Sequence, residues 1–214
     1  MLSFPGISTF AECTHSPMSL PGDMGEFFVG LPICYATVSN ILREGSFEFG
    51  RRSYMDNIII RKITGDEVES AMELALKVFM QFEAPDYHPS GVETFKRDIV
   101  ENPEYLEKAR QGICPIYGAF DGNNIVALIG MRSDRKHINL VFTKKTYHRR
   151  GIASAIFRCL LNDISAENPA LEELTLNSSP YGLPFYLALG FIPVGEEREI
   201  NGIRFTPMKY IIKR

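Results

Sequence analysis

Tryptophan is absent and cysteine is scarce, with four in 214 residues. Cys13, Cys34, Cys114 and Cys159 form no C-x-x-C pair and have no histidine cluster for company. That argues against both a zinc site and a disulfide framework, so no metal is expected and a reducing cytoplasm suits the chain. Long apolar runs are also missing. The nearest, Phe27 to Val38, is interrupted by Gly30 and Pro32 and falls short of the roughly 20 residues a membrane helix needs. No Lys or Arg precedes Arg43, so the amino terminus lacks the cationic start of a secretory signal. What is present, 45% hydrophobic and 23% charged residues with a net charge of -3, excludes a disordered or fibrous chain.

The composition changes at Met55. Residues 1–54 are rich in Pro, Gly, Ser and Met without sustained periodicity, as expected of a poorly ordered extension. Met55 followed at once by the strand-like Asn57-Ile58-Ile59-Ile60-Arg61 also resembles an ordinary start. Gly50-Arg51-Arg52 just upstream is what a purine-rich ribosome-binding sequence encodes when read in frame, so Met55 is expected to be the native initiator and 55–214 the domain. Within it, periodicity predicts a strand over 57–63, a helix over 65–81, a loop over 82–87 and a helical region over 90–111. Ser90 is expected to cap that region, which should break at Pro103. Strands follow at 115–120, 125–131 and 137–142, with Asp121-Gly122 as a hairpin turn. A helix from 152, a strand near 174–176, a helix around 184–189 and two closing strands complete the pattern.

The most informative stretch is His148-Arg149-Arg150-Gly151-Ile152-Ala153, between the apolar run 138–142 and a helix with an apolar face at Ile152, Ile156, Phe157, Leu160 and Leu161. A strand that passes through a short glycine-containing turn into a helix gathers unpaired N–H groups at the positive end of the helix dipole, where an anion can sit. Lys144, Lys145, His148, Arg149, Arg150 and Arg158 crowd the same segment of an acidic chain, so the basic cluster is local.

These residues resemble the signature of the GNAT superfamily of N-acetyltransferases, with His148 where the family has Gln or Arg. Ser179 through Tyr186 to Gly190-Phe191 resembles the family's second block. The resemblance implies an α/β (α+β) fold, a mixed, twisted central sheet of about six to seven strands flanked by helices, with splayed parallel strands at the acetyl-CoA site. It implies acetyl-CoA as co-substrate, bound by Phe142, Thr143, His148, Arg149, Arg150, Gly151, Ile152, Ala153 and Ser154, with Asn177 or Ser179 on the pantetheine arm. Tyr186 would protonate the departing thiolate. Many relatives place a basic glutamate where this chain has Asn139, which cannot accept a proton at neutral pH; His137 on the same strand is one candidate base. Glu83 and Asp86, beside Phe82 and Tyr87, are expected to meet the acceptor amine. The partners implied are a small-molecule or peptide amine, with no nucleic acid and no membrane, and a homodimer is left open. The competing function is a non-catalytic coenzyme A-binding or regulatory module of the same fold.

Overall fold

The computed structural model describes residues 57–213 together with the pair Ala36–Thr37. The expected extension 1–54 lies outside the described residues apart from that pair. Ala36–Thr37 forms a short strand β1 that pairs antiparallel with β2, Ile58–Lys62.

From β2 the chain enters α1, Val68–Phe82. Its buried positions Val68, Ala71, Met72, Ala75, Val78 and Phe79 recur at three and four residues and make one apolar stripe. Two short helices follow, α2 (Pro89–Phe95) and α3 (Pro103–Arg110), joined by a π-helical turn at Lys96–Val100. The cap of α2 is His88 and not Ser90, because Pro89 occupies the first helical position and the His88 ring accepts from the Ser90 N–H. The sheet resumes with β3 (Ile116–Asp121), β4 (Asn124–Met131) and β5 (His137–Thr143). Then come α4 (Ile152–Glu167), β6 (Glu173–Ser178), α5 (Leu183–Leu189), β7 (Ile192–Pro193), β8 (Arg198–Ile200) and β9 (Ile203–Ile211).

The strands run in the order β1-β2-β3-β4-β5-β6-β9-β7, with β8 paired to β9. This mixed, helix-flanked sheet is the expected fold class, widened at its edges by the very short β1 and β7. Helix α4 covers one face through Ile156, Leu160 and Ile164 against Ile60, Tyr117, Ile129 and Met131. Helices α1 to α3 cover the other through Met72, Phe79 and Phe95 against Phe120, Leu128, Leu140 and Phe142. Among the described strands only β5 and β6 pair in parallel, and they do so over just His137↔Thr175 and Ile138↔Leu176.

The cause of that short pairing is a β-bulge. Leu140 pairs with Gly130 but Ile138 pairs with Met131, so Asn139 is an extra residue on β5. An extra residue bends and twists its strand. Here it does so immediately after the last β5–β6 pair, and the two strands splay.

The amino end of α2 is seated against the turn between β8 and β9. A Cβ on Gly91 would lie 2.2 Å from the carbonyl oxygen of Gly202. Gly91→Ala must push the two elements apart, and overpacking of this kind costs about 1–3 kcal/mol. Thermal denaturation of that variant should show a melting point lower by several degrees, since about 1 kcal/mol shifts a chain of this size by roughly 2–4 °C.

Candidate active site

A cavity of about 400 Å³ opens where β5 and β6 diverge. Its floor is Val141, Phe142 and Thr143 of β5, and one wall is Val78, Phe82 and Glu83 at the end of α1. The turn His148 to Ser154 and the segment Ser179 to Tyr186 supply the other walls.

The basic turn is held in an uncommon backbone conformation. Arg149 and Gly151 have φ of 60° and 76°. The left-handed region suits glycine and strains other residues, which is why Gly151 stands at the helix N-cap. The first helical bond of α4 is from Ala155 N–H to Gly151 O, 3.0 Å. The N–H groups of Ile152, Ala153 and Ser154 therefore precede the ladder, and all three residues line the cavity. No atom lies within 4 Å of where a Gly151 Cβ would be. The space there is open and adjoins the turn that carries the donors, so the residues present fit a phosphate-bearing ligand.

His148 explains how histidine serves at the first position of the motif. Its Nε2–H donates to the Thr143 carbonyl, 2.7 Å, and ties the turn to the end of β5. Its ring packs on Phe82 at 5.1 Å, and Phe82 stacks in turn on Tyr181 at 5.1 Å. Tyr147 anchors the same turn by donating to Asp121 at 2.6 Å, and Arg150 lies over the Tyr147 ring rather than in the cavity wall.

Glu83 and Tyr186 face the same space. Burial pushes the Glu83 carboxyl up to about 7, an effect offset in part by hydrogen bonding to the Ser179 hydroxyl. The Ser179 hydroxyl also accepts from the Gly182 N–H at 3.1 Å, which holds the entry to α5. Helix α5 thus starts at Leu183, beyond Ser179-Pro180. Tyr186 packs edge-on against Phe185 and Phe191. Burial raises its phenol above the ordinary tyrosine range, and the nearby charge of Glu83 raises it further.

Other expected positions lie elsewhere. His137 sits at the start of β5, where its Nδ1 meets the Thr175 hydroxyl at 2.8 Å. Burial and the Arg132 charge lower its pKa to about 4. Asn139 occupies the bulge, and its side chain counters part of the rise that burial imposes on the Tyr105 phenol. Asn177 pairs with Pro207 in the β6–β9 ladder. Asp86 lies on an exposed turn, Ala84–Asp86. None of these lines the cavity. Val78, Val141, Tyr181, Gly182 and Phe185 do, and the sequence carried no chemical signal for them. Among the described residues no cluster of His, Cys, Asp and Glu could hold a metal ion, and no helix is long and apolar enough to cross a membrane.

One result follows directly from the turn. Gly151→Val forces a β-branched residue into the left-handed region and fills the space in front of the helix donors. Binding of coenzyme A, read by calorimetry, should weaken by at least tenfold while the melting transition remains cooperative.

Residues 83–212 match the sequence profile of the acetyltransferase (GNAT) domain. No curated protein sequence matches the chain. Among solved structures, a GCN5-related N-acetyltransferase from Rhodopseudomonas palustris superposes with a TM-score of 0.61 at 15% identity, covering 78% of this chain and 100% of that one. The PaiA N-acetyltransferase of Thermoplasma acidophilum, solved with coenzyme A, gives 0.56 at 18%, covering 72% and 99%. An aminoglycoside 6'-N-acetyltransferase, also solved with coenzyme A, gives 0.52 at 13%, covering 73% and 98%. At these identities the structures speak for the fold, and the profile speaks for the family. The chain belongs to the GNAT family and carries an N-acetyltransferase domain.

Proposed function

We propose that the chain transfers an acetyl group from acetyl-CoA directly to a primary amine, with Glu83 as general base and Tyr186 as general acid. The observation that carries this reading is the meeting, in one cavity, of a helix N-terminus built on Gly151 with a carboxyl poised near neutrality and a protonated phenol. The amine, arriving as the free base, attacks the thioester carbonyl carbon through its nitrogen and gives up one proton to Glu83 as the nitrogen–carbon bond forms. Backbone N–H donors near Phe142 and Thr143, in the part of β5 that has left β6, are placed to polarise the carbonyl oxygen. As the carbon–sulfur bond breaks, the Tyr186 hydroxyl donates to the departing thiolate. Once Glu83 has taken the amine's proton, its charge no longer holds the phenol proton in place, so base and acid act in sequence.

The other candidates are worse placed. Asn139 and His137 lie outside the cavity, and the carboxylate missing at Asn139 is supplied by Glu83. A coenzyme-binding module without catalysis has no use for a buried carboxyl of this kind, which costs stability above neutrality. No enzyme-bound acetyl intermediate is needed, because Cys114 and Cys159 are buried and line no part of the cavity. Those free thiols also support a cytoplasmic location. We assign Arg149, with Lys144 and Lys145 beside the same turn, to the coenzyme's phosphates and not to nucleic acid; Arg150, held over the Tyr147 ring, is left out of that set. Release of coenzyme A thiol on mixing with acetyl-CoA and a panel of amines tests the reading. Release that depends on the amine supports it, and coenzyme binding without release by any amine overturns it.

A further inference from the structure

Aromatic rings from separate chain segments join the walls of the cavity. Phe82 is the last residue of α1, His148 belongs to the basic turn, and Tyr181 precedes α5, and all of them line the space. The Phe82 ring lies 5.1 Å from that of His148, tilted by 38°, and stacks on Tyr181 at 5.1 Å with the planes 22° apart. His148 is bonded to the Thr143 carbonyl at 2.7 Å, so the contacts run from the end of β5 through the turn and across α1 to the entry of α5. Folding does not call for this arrangement. Tyr181 is 49% exposed and belongs to neither hydrophobic cluster of the core. Its ring contact is with Phe82.

Glu83 directly follows Phe82. Its N–H donates to the Phe79 carbonyl at 2.9 Å, which makes its backbone the end of α1, and its carboxyl hydrogen-bonds to the Ser179 hydroxyl. Two adjacent residues of α1 thus grip the entry to α5, Phe82 at Tyr181 and Glu83 at Ser179. Tyr186 is tied to the same segment. A Cβ on Gly182 would lie 2.9 Å from the Tyr186 ring and 3.3 Å from the Ser179 hydroxyl, so base, acid and clasp meet around one glycine. A shift of α1 against that entry would move the carboxyl relative to the phenol. A single hydrogen bond leaves a carboxyl free to swing, and the ring contacts remove that freedom.

Resting on the transferase reading, we propose that Phe82 is a positioning residue: clasped by His148 of the coenzyme turn and by Tyr181 at the α5 entry, its ring sets where the Glu83 carboxyl stands relative to the coenzyme and to Tyr186. By filling that side of the cavity it also keeps water from the carboxyl. The titratable groups around Glu83 are Tyr186 and Tyr181, Tyr87 beyond the end of α1, and Tyr147, His148 and Arg149 of the turn. Phe82→Ala alters none of them.

In Phe82→Ala kcat should fall roughly 100-fold, the cost of misplacing a reacting group by about 1 Å, while affinity for coenzyme A, set by the backbone donors of the turn, hardly changes. The rise of kcat/KM with pH, centred near 7 in wild type, should move toward the ordinary carboxylate value of 4.5 as water reaches Glu83. Phe82→Tyr keeps a ring and should restore both. Tyr181→Leu, at a half-exposed position, should move the profile in the same direction by less, and it decides the matter if Phe82→Ala does not fold. A loss of kcat with the rise left near 7, or with coenzyme affinity falling in step, would overturn the proposal and leave the transferase reading standing. If wild type acetylates no amine although coenzyme A binds, the transferase reading has failed. Carbon-13 titration of the Glu83 carboxyl, its signal identified by its loss in Glu83→Gln, then decides the clasp alone: a midpoint that falls in Phe82→Ala supports it, and an unmoved midpoint overturns it.

Discussion

Glu83→Gln should lower turnover by roughly 100-fold to 10,000-fold, the usual worth of a general base, and at the same time make the protein more stable at alkaline pH. The two effects have one origin. The folded carboxyl titrates at about 7 against an ordinary 4.5. A raised folded pKa means that the native state binds the proton more tightly than the unfolded chain. Stability therefore falls as pH climbs from about 4.5 to 7, and the whole cost persists above 7. Glutamine never pays it, so the unfolding free energies of variant and wild type should differ little near pH 5 and diverge by about 2–3 kcal/mol toward pH 8. Activity runs the opposite way. Wild-type kcat/KM should rise through about pH 7 as Glu83 ionises, and the variant should lack that limb. A variant that keeps wild-type turnover, or is less stable than wild type at pH 8, would remove Glu83 from the mechanism.

Tyr186→Phe keeps the ring between Phe185 and Phe191 and removes only the hydroxyl. Affinity for coenzyme A should hardly change, while turnover falls by roughly 100-fold to 10,000-fold where thiolate departure limits the rate. The acid role has its own signature. An acetyl thioester of an acidic aromatic thiol, which leaves without help, should shrink the gap between wild type and Tyr186→Phe but not the gap between wild type and Glu83→Gln. If both gaps respond alike, the hydroxyl does something other than assist the leaving group.

The features legible in sequence were those fixed by near neighbours. The turn at Arg149 to Gly151 could be read because a left-handed residue ahead of a helix asks for glycine, and the stripe Ile152, Ile156, Leu160 because helical spacing is local. The strands of the central hairpins showed in the same way. What escaped is long-range. Alternation along His137 to Thr143 cannot reveal that Asn139 is an extra residue, because the bulge exists only in the register with Gly130 and Met131. Yet that bulge accompanies the splay that opens the site. Glu83 read as an acceptor contact because the burial that raises its pKa comes from packing with distant parts of the chain, and the Ser179 hydroxyl that partly offsets it is equally remote in sequence. His88 displaced Ser90 as a cap because Pro89 sets where the helix begins. The strands β1 and β7, two residues each, are too short to carry a period.

The most direct test of acetyl transfer in this cavity is a mass measurement after mixing protein, acetyl-CoA labelled in its acetyl group, and an amine acceptor. Wild type should place the label on the acceptor and none on the protein, and the double variant Glu83→Gln/Tyr186→Phe should bind the coenzyme yet label the acceptor no faster than solvent does. Label held on the protein, or a double variant as fast as wild type, would contradict the account.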